Sequence, residues 1–209
     1  MNELYKGPND VYIYAMRLRQ TRERLGLTQG RVAALLGTSQ ANVSAYETGR
    51  LEPGRTVASR ISAFIALPDD TVYRKLWPPT MASTALQLRD DVRSGASPGD
   101  MLRVIIQACD DFPKLTLPAE HSLFLAEPGL TGDRGLDALL AGLAVHLCRK
   151  AGLESTPAWT RAPLRFSDEI WWFGRADASP GIRALTFRDA VPAMRARGVI
   201  FSRRNLESV

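Results

Sequence analysis

The hydrophobic positions between residues 28 and 50 repeat at a helical interval and are interrupted by glycine. Apolar residues at the i, i+3 and i+4 positions place one stripe on a first helix, and they are Val32, Leu35 and Leu36. Gly37 follows this stripe, and Gly49 ends a second short segment, as glycine does where a helix terminus needs a positive φ. The pattern therefore predicts two short helices joined by a tight turn.

The second of these helices presents small side chains on the face away from Val43 and Tyr46. Thr38 or Ser39 can cap it, because a hydroxyl oxygen accepts a hydrogen bond from a free backbone N–H at a helix start. The outward set has no long or charged member, and it comprises Gln40, Ala41, Asn42, Ser44 and Ala45. Such a face suits contact with the edges of base pairs.

Helical periodicity also flanks this pair. Apolar residues at helical spacing predict one helix over about 11–25 and another over 56–67, so residues 11–67 form a compact all-helical domain. Prolines follow at positions 68, 78 and 79, and each biases the residue before it away from helix. We therefore expect residues 68–80 to be a short, stiff linker.

The remaining chain is expected to be a second, mostly helical domain over 81–209. Helices are predicted over 81–93, 98–111 and 133–151, with a short one near 189–197. Residues 199–201 indicate one short strand, while residues 122–126 fit helix or strand. The predicted fold class is mainly α, with four or five helices in the N-terminal domain and little strand in the C-terminal one.

Composition places limits on the class of protein. The 209 residues are 45% hydrophobic, which is enough for one or two cores, and the net charge of +5 permits an acidic partner. Cys109 and Cys148 are too few and too far apart for a disulfide framework, which favours a reducing compartment. No apolar run is long enough for a membrane helix, and the start lacks a signal region. We expect a soluble cytoplasmic protein.

Three motifs over residues 11–67 resemble the Cro/repressor-type (XRE-like) helix-turn-helix family. They are RQTRERLGLTQ at 19–29, VAALLG at 32–37 and VSAYETGR at 43–50. The resemblance combines a Thr-Gln helix start, an Ala and a Gly where the two helices touch, a closing Glu-x-Gly-Arg and a further helix at the expected distance. It implies a repressor-like N-terminal domain.

In that family the second helix of the motif lies in the DNA major groove and the first lies across the backbone. The resemblance places six residues at groove-facing positions: Ser39, Gln40, Ala41, Asn42, Ser44 and Ala45. It also implies three phosphate contacts, Gln29, Arg50 and Arg55, and an internal salt bridge between Arg22 and Glu47. Because positions 41 and 45 are alanine where many members carry longer polar residues, base reading is expected to be weak or to rely on DNA shape.

The ending of the chain is similar to that of antitoxin-type regulators encoded beside nucleotidyltransferase-like toxins. The similarity rests on segments near 157–159, 171–173 and 191–201. It suggests a partner-binding surface whose candidates are Trp171, Trp172, Arg195 and Arg197, because interfaces favour Trp and Arg. The alternative is that the aromatic residues are core and the arginines a solvated surface.

No motif indicates catalysis. His146 and Cys148 lie two apart on a predicted helix and therefore point to different faces, which does not favour a metal site. A phosphate-binding glycine loop and a nucleophile elbow are both missing from the sequence. We expect no enzyme, no cofactor and no metal.

The expected function is a sequence-specific DNA-binding repressor that acts as a homodimer on double-stranded DNA with a two-fold operator. An interaction protein that neutralises a toxin and autoregulates its operon is a second class. A regulator whose second domain senses a small molecule is a third.

Overall fold

The computed structural model describes residues 8–174 and 178–206, and within these ranges the chain is mainly helical, as predicted. Helices and strands occur in the following order: α1 Pro8–Arg24, α2 Gln29–Leu36, α3 Gln40–Glu47, α4 Arg55–Ile65, α5 Met81–Ser94, α6 Pro98–Asp111, α7 Pro118–Phe124, α8 Arg134–Lys150, β1 Trp171–Trp172, α9 Pro180–Arg188, α10 Pro192–Arg195 and β2 Val199–Ile200. No helix in the described ranges is both long and apolar enough to span a membrane.

The chain divides into two compact units that are not contiguous in sequence. The first extends up to Ser83 and also includes Lys114–Pro128, whereas the second comprises Thr84–Pro113 and the chain from Gly129 onward. Helices α1–α4 belong to the first unit, and α7 packs on α4 within it. This division differs from the expected boundary at residue 80, because residues 68–80 and 114–128 are held to the N-terminal helices by buried polar contacts.

The core of the first unit is formed by the apolar stripes of its first four helices. The fully buried members include Leu18, Val32, Leu36, Val43, Ile61 and Phe64. Gly37 has φ of +61°, and a Cβ at this position would lie 2.8 Å from the carbonyl oxygen of Ala82. Only glycine fits there, so the turn between α2 and α3 has the residue that its backbone requires.

Glu120 on α7 joins two separate parts of the first unit through a fully buried carboxylate. It accepts hydrogen bonds from the Thr71 hydroxyl and the Val72 N–H, and from the N–H groups of Thr116 and Leu117 at 3.0 and 3.1 Å. Burial alone would raise the pKa of Glu120, but these hydrogen bonds outweigh it and hold the pKa below its ordinary value. The same segment answers the open question at 122–126, because residues 122–124 are the last residues of α7 and residues 125 and 126 form a turn after it.

The second unit is organised around α8, whose residues are buried on nearly all sides. It packs on α10 at Gly142, where a Cβ would lie 2.7 Å from the Met194 Cγ. The strand expected at 199–201 is confirmed as β2, which pairs in parallel with β1. The helix expected near 189–197 is shorter than predicted, and α9, which has no buried residue, is absent from the predicted helices.

Replacing Glu120 by glutamine should destabilise the first unit by about 2 kcal/mol at pH 7, since the carboxylate accepts bonds from four donors. The lowered pKa of Glu120 stabilises the folded protein at pH values above about 4.3, the pKa of glutamate in an unfolded chain. This stabilisation is lost as the pH falls through the pKa of Glu120 in the folded protein. The difference between wild type and variant in urea unfolding should therefore shrink below pH 4. The exposed Glu52→Gln is the control, and a pH-independent difference would contradict the assignment.

Candidate nucleic-acid interface

The N-termini of α2 and α3 lie beside each other. A Cβ on Gly30 would be 3.8 Å from the Gln40 Oε1, so the Gln40 amide lies close to the first turn of α2. Thr28 caps α2 by accepting from the Arg31 N–H, and Ser39 caps α3 by accepting from the Asn42 N–H, each at 3.2 Å. Of the two hydroxyls predicted from sequence to cap α3, Ser39 is the one in use, and Thr28 caps α2 in the same way.

The outward face of α3 carries the residues that the family resemblance places in a groove. Ser39, Gln40 and Ala41 are exposed, whereas Asn42, Ser44 and Ala45 are half-buried. The Asn42 Nδ2 donates to the Thr38 Oγ1 at 3.0 Å, which uses one of its two amide hydrogens. No hydrogen bond within the described residues is seen for the second hydrogen or for the amide oxygen.

Glu47 connects the first three helices from the buried end of α3. The Arg22 Nε lies 2.6 Å from its Oε1 and the Arg22 Nη2 lies 3.1 Å from its Oε2, so the pair is bidentate. The Gln29 Nε2 donates to the same Oε2 at 3.0 Å. The hydrogen bond with Glu47 raises the pKa of Arg22. One carboxylate thus fixes the positions of α1 and of the first turn of α2 relative to α3.

Part of the positive charge of the first unit is paired with carboxylates and part of it is not. Three of the arginines on α1, Arg19, Arg22 and Arg24, pair with Glu23, Glu47 and Asp69 respectively, so the basic face expected there is largely neutralised. Exposed arginines of the first unit without a carboxylate partner among the described residues include Arg31, Arg50 and Arg55. The Arg50 Nε donates to the Thr48 Oγ1 at 2.9 Å, which orients it at the end of α3.

Arg31 was not among the residues selected from the sequence. It occupies the first turn of α2, and the signal that could have identified it was a lone cation two residues after the Thr-Gln helix start. Its guanidinium carbon lies 4.5 Å from the centre of the Trp77 ring, and Trp77 belongs to the segment that the sequence predicts to be a linker.

The four candidates in the second unit are placed differently from one another. Arg197 is buried, and it donates to the carbonyl oxygens of Ala193 at 2.8 Å and Thr160 at 3.0 Å. Burial lowers its pKa. The assignment of Arg197 to a partner-binding surface is corrected to a structural role, because its guanidinium satisfies backbone carbonyls. Arg195 is exposed and lies 5.4 Å from the centre of the Phe187 ring.

Both tryptophans of β1 are half-buried. Trp171 packs directly over Gly135 of α8, where a Cβ would come within 2.2 Å of the indole. Trp172 has the Arg183 guanidinium 5.5 Å from its ring centre. Each ring therefore contributes to packing and keeps part of its surface exposed.

Comparison with known proteins addresses the first unit alone. Residues 13–73 match the family model of a helix-turn-helix domain. The match is consistent with the XRE-like resemblance and supports a DNA-binding regulator. No curated protein and no solved structure matches the chain, and the antitoxin-type similarity of the C-terminal half receives no support.

Two glutamates that contact Arg22 provide a matched test of the helix-connecting network. Glu47→Ala should lower the free energy of unfolding by about 3 kcal/mol, because it leaves Arg22 and Gln29 without their buried acceptor. Glu23→Ala should change it little, because Glu23 is solvent-exposed. Urea unfolding followed by circular dichroism measures both, and equal effects would argue against the network.

Proposed function

We propose that this protein is a transcriptional repressor that binds a two-fold operator as a homodimer through α3. The observation that carries the proposal is the exposed Ser39–Ala41 surface, on a helix whose position is fixed by Glu47 and beside arginines without carboxylate partners. The proposal assigns no catalytic residue and no cofactor.

In this proposal α3 enters the major groove and α2 crosses the backbone. Gln40 and Asn42 each carry the amide that pairs bidentately with adenine, and Ala41 and Ala45 contact thymine methyl groups. Arg50 and Arg55 bind phosphates. Gln29 contributes through its backbone N–H at the α2 start, because its side chain is engaged by Glu47.

Dimerisation follows from the small size of the reading surface. A single module of this kind buries a modest area on DNA, whereas two modules on half-sites about 34 Å apart multiply the contacts. With two alanines on α3, the shape and deformability of the operator contribute to specificity as well.

The double variant Gln40→Ala/Asn42→Ala should weaken binding to the protein's own promoter by about 30-fold or more, since two bidentate base contacts are lost and each contributes about 1–3 kcal/mol of discrimination. Fluorescence anisotropy at a stated salt concentration measures the affinity. The control is Gln87→Ala, at an exposed position of α5. Because Asn42 is half-buried, thermal unfolding of each variant checks that a loss of affinity is not a loss of stability. Unchanged affinity in the double variant, or no salt-sensitive binding by wild type, would contradict the proposal.

A second candidate function is an antitoxin that binds a partner toxin through the C-terminal region and uses DNA binding to autoregulate. One observation favours a protein partner: α9 has no buried residue and exposes Ile182, Leu185 and Phe187. Large exposed apolar patches commonly mark interaction sites.

Co-expression with the product of the adjacent gene tests this candidate. Ile182→Glu/Leu185→Glu should abolish copurification and preserve DNA binding, whereas Val92→Glu, at another exposed apolar position, should preserve both. Wild type that purifies without the adjacent product would exclude it as the partner.

A further inference from the structure

Arg31 lies against an aromatic side chain at the first turn of α2. Its guanidinium carbon is 4.5 Å from the centre of the Trp77 ring, which is within the range of a cation–π contact. Both side chains are exposed, Trp77 by 39%. A guanidinium that lies over a ring keeps the N–H groups along its edges available to a ligand.

Trp77 is held in place by the segment that follows it. Residues 77–82, here called the strap, run beside α2 from its first turn to its last. Pro78 is buried, and the Thr80 Oγ1 donates to the Leu35 carbonyl oxygen at 2.7 Å. Ala82 packs against Gly37 so closely that a Cβ on residue 37 could not be accommodated. These contacts already anchor the strap without Arg31. The contact of the Trp77 ring with Arg31 therefore serves to orient the Arg31 guanidinium.

Arg31 is also close to the proposed reading face. It follows Gly30, where a Cβ would lie 3.8 Å from the Gln40 Oε1. If α3 lies in the major groove, the first turn of α2 faces the phosphates at the edge of that groove. An arginine there, without a carboxylate partner in the described ranges, has charge and donors suited to a phosphate.

We infer that Arg31 is a DNA-phosphate contact and that Trp77 is a positioning residue that holds its guanidinium ready for it. The inference rests on the proposed function. Arginine loses side-chain freedom when it binds, and a ring fixed by the strap restricts that freedom beforehand, so the cost of ordering is smaller on binding.

The test measures affinity for the promoter fragment as a function of salt for wild type and single variants. Arg31→Ala should weaken binding about tenfold and reduce the slope of log K against log salt by about 0.9 per protomer, because one phosphate contact is lost. Arg93→Ala, at an exposed arginine of α5, should change neither.

Trp77 is tested by the same titration together with a double-mutant cycle. Trp77→Ala should weaken binding several-fold and leave the slope as in wild type, because Arg31 keeps its charge. Trp77→Phe should restore affinity, since it retains an aromatic face. Trp77→Ala should have no further effect in the Arg31→Ala background. Leu76→Ala, at the exposed neighbouring position, is the control.

A salt slope unchanged by Arg31→Ala would overturn the phosphate contact. Additive effects of Arg31→Ala and Trp77→Ala would overturn the positioning role. If Trp77→Ala lowers the unfolding temperature, Trp77→Leu, which keeps apolar bulk without a ring, takes its place with the same outcomes required.

Failure of this inference is distinguishable from failure of the proposed function. Wild type that does not bind the promoter fragment contradicts both. Wild type that binds, and is weakened by Gln40→Ala/Asn42→Ala but not by Arg31→Ala, contradicts the inference alone.

Discussion

The arrangement of the proposed reading face depends on one buried carboxylate. Glu47 accepts from Arg22 of α1 and from Gln29 of α2, and it lies at the C-terminal end of α3. A charge buried in this way is tolerated only when its hydrogen bonds are made, so the three helices are held in one relative position. The small side chains at the start of α3 are consequently presented on a rigid support, as recognition of base edges requires.

The buried carboxylate of Glu120 likewise holds together parts of the first unit that are far apart in the sequence. It brings residues 114–124 to the segment that follows α4. The strap then runs from that segment along α2, and its Trp77 lies over Arg31 at the edge of the proposed DNA-binding surface. Features that look like a linker in sequence therefore support α2.

Local chemistry explains what could be predicted. Gly37 and the hydroxyl of Ser39 act within a few residues of their own positions, so their pattern reveals α2, α3 and the turn between them. Glu120 bonds to Thr71 across 49 residues, and no periodicity encodes that distance. Likewise, Arg197 resembles a surface arginine in sequence, but the fold supplies buried carbonyl oxygens for it.

The central claim is that DNA contacts the start of α3, and a titration of isotope-labelled protein with the promoter fragment, followed by amide resonances, tests it most directly. The account predicts saturable shifts for Ser39, Gln40 and Ala41, with those of α8 unchanged. Shifts confined to the second unit, or none at saturating DNA, would contradict it.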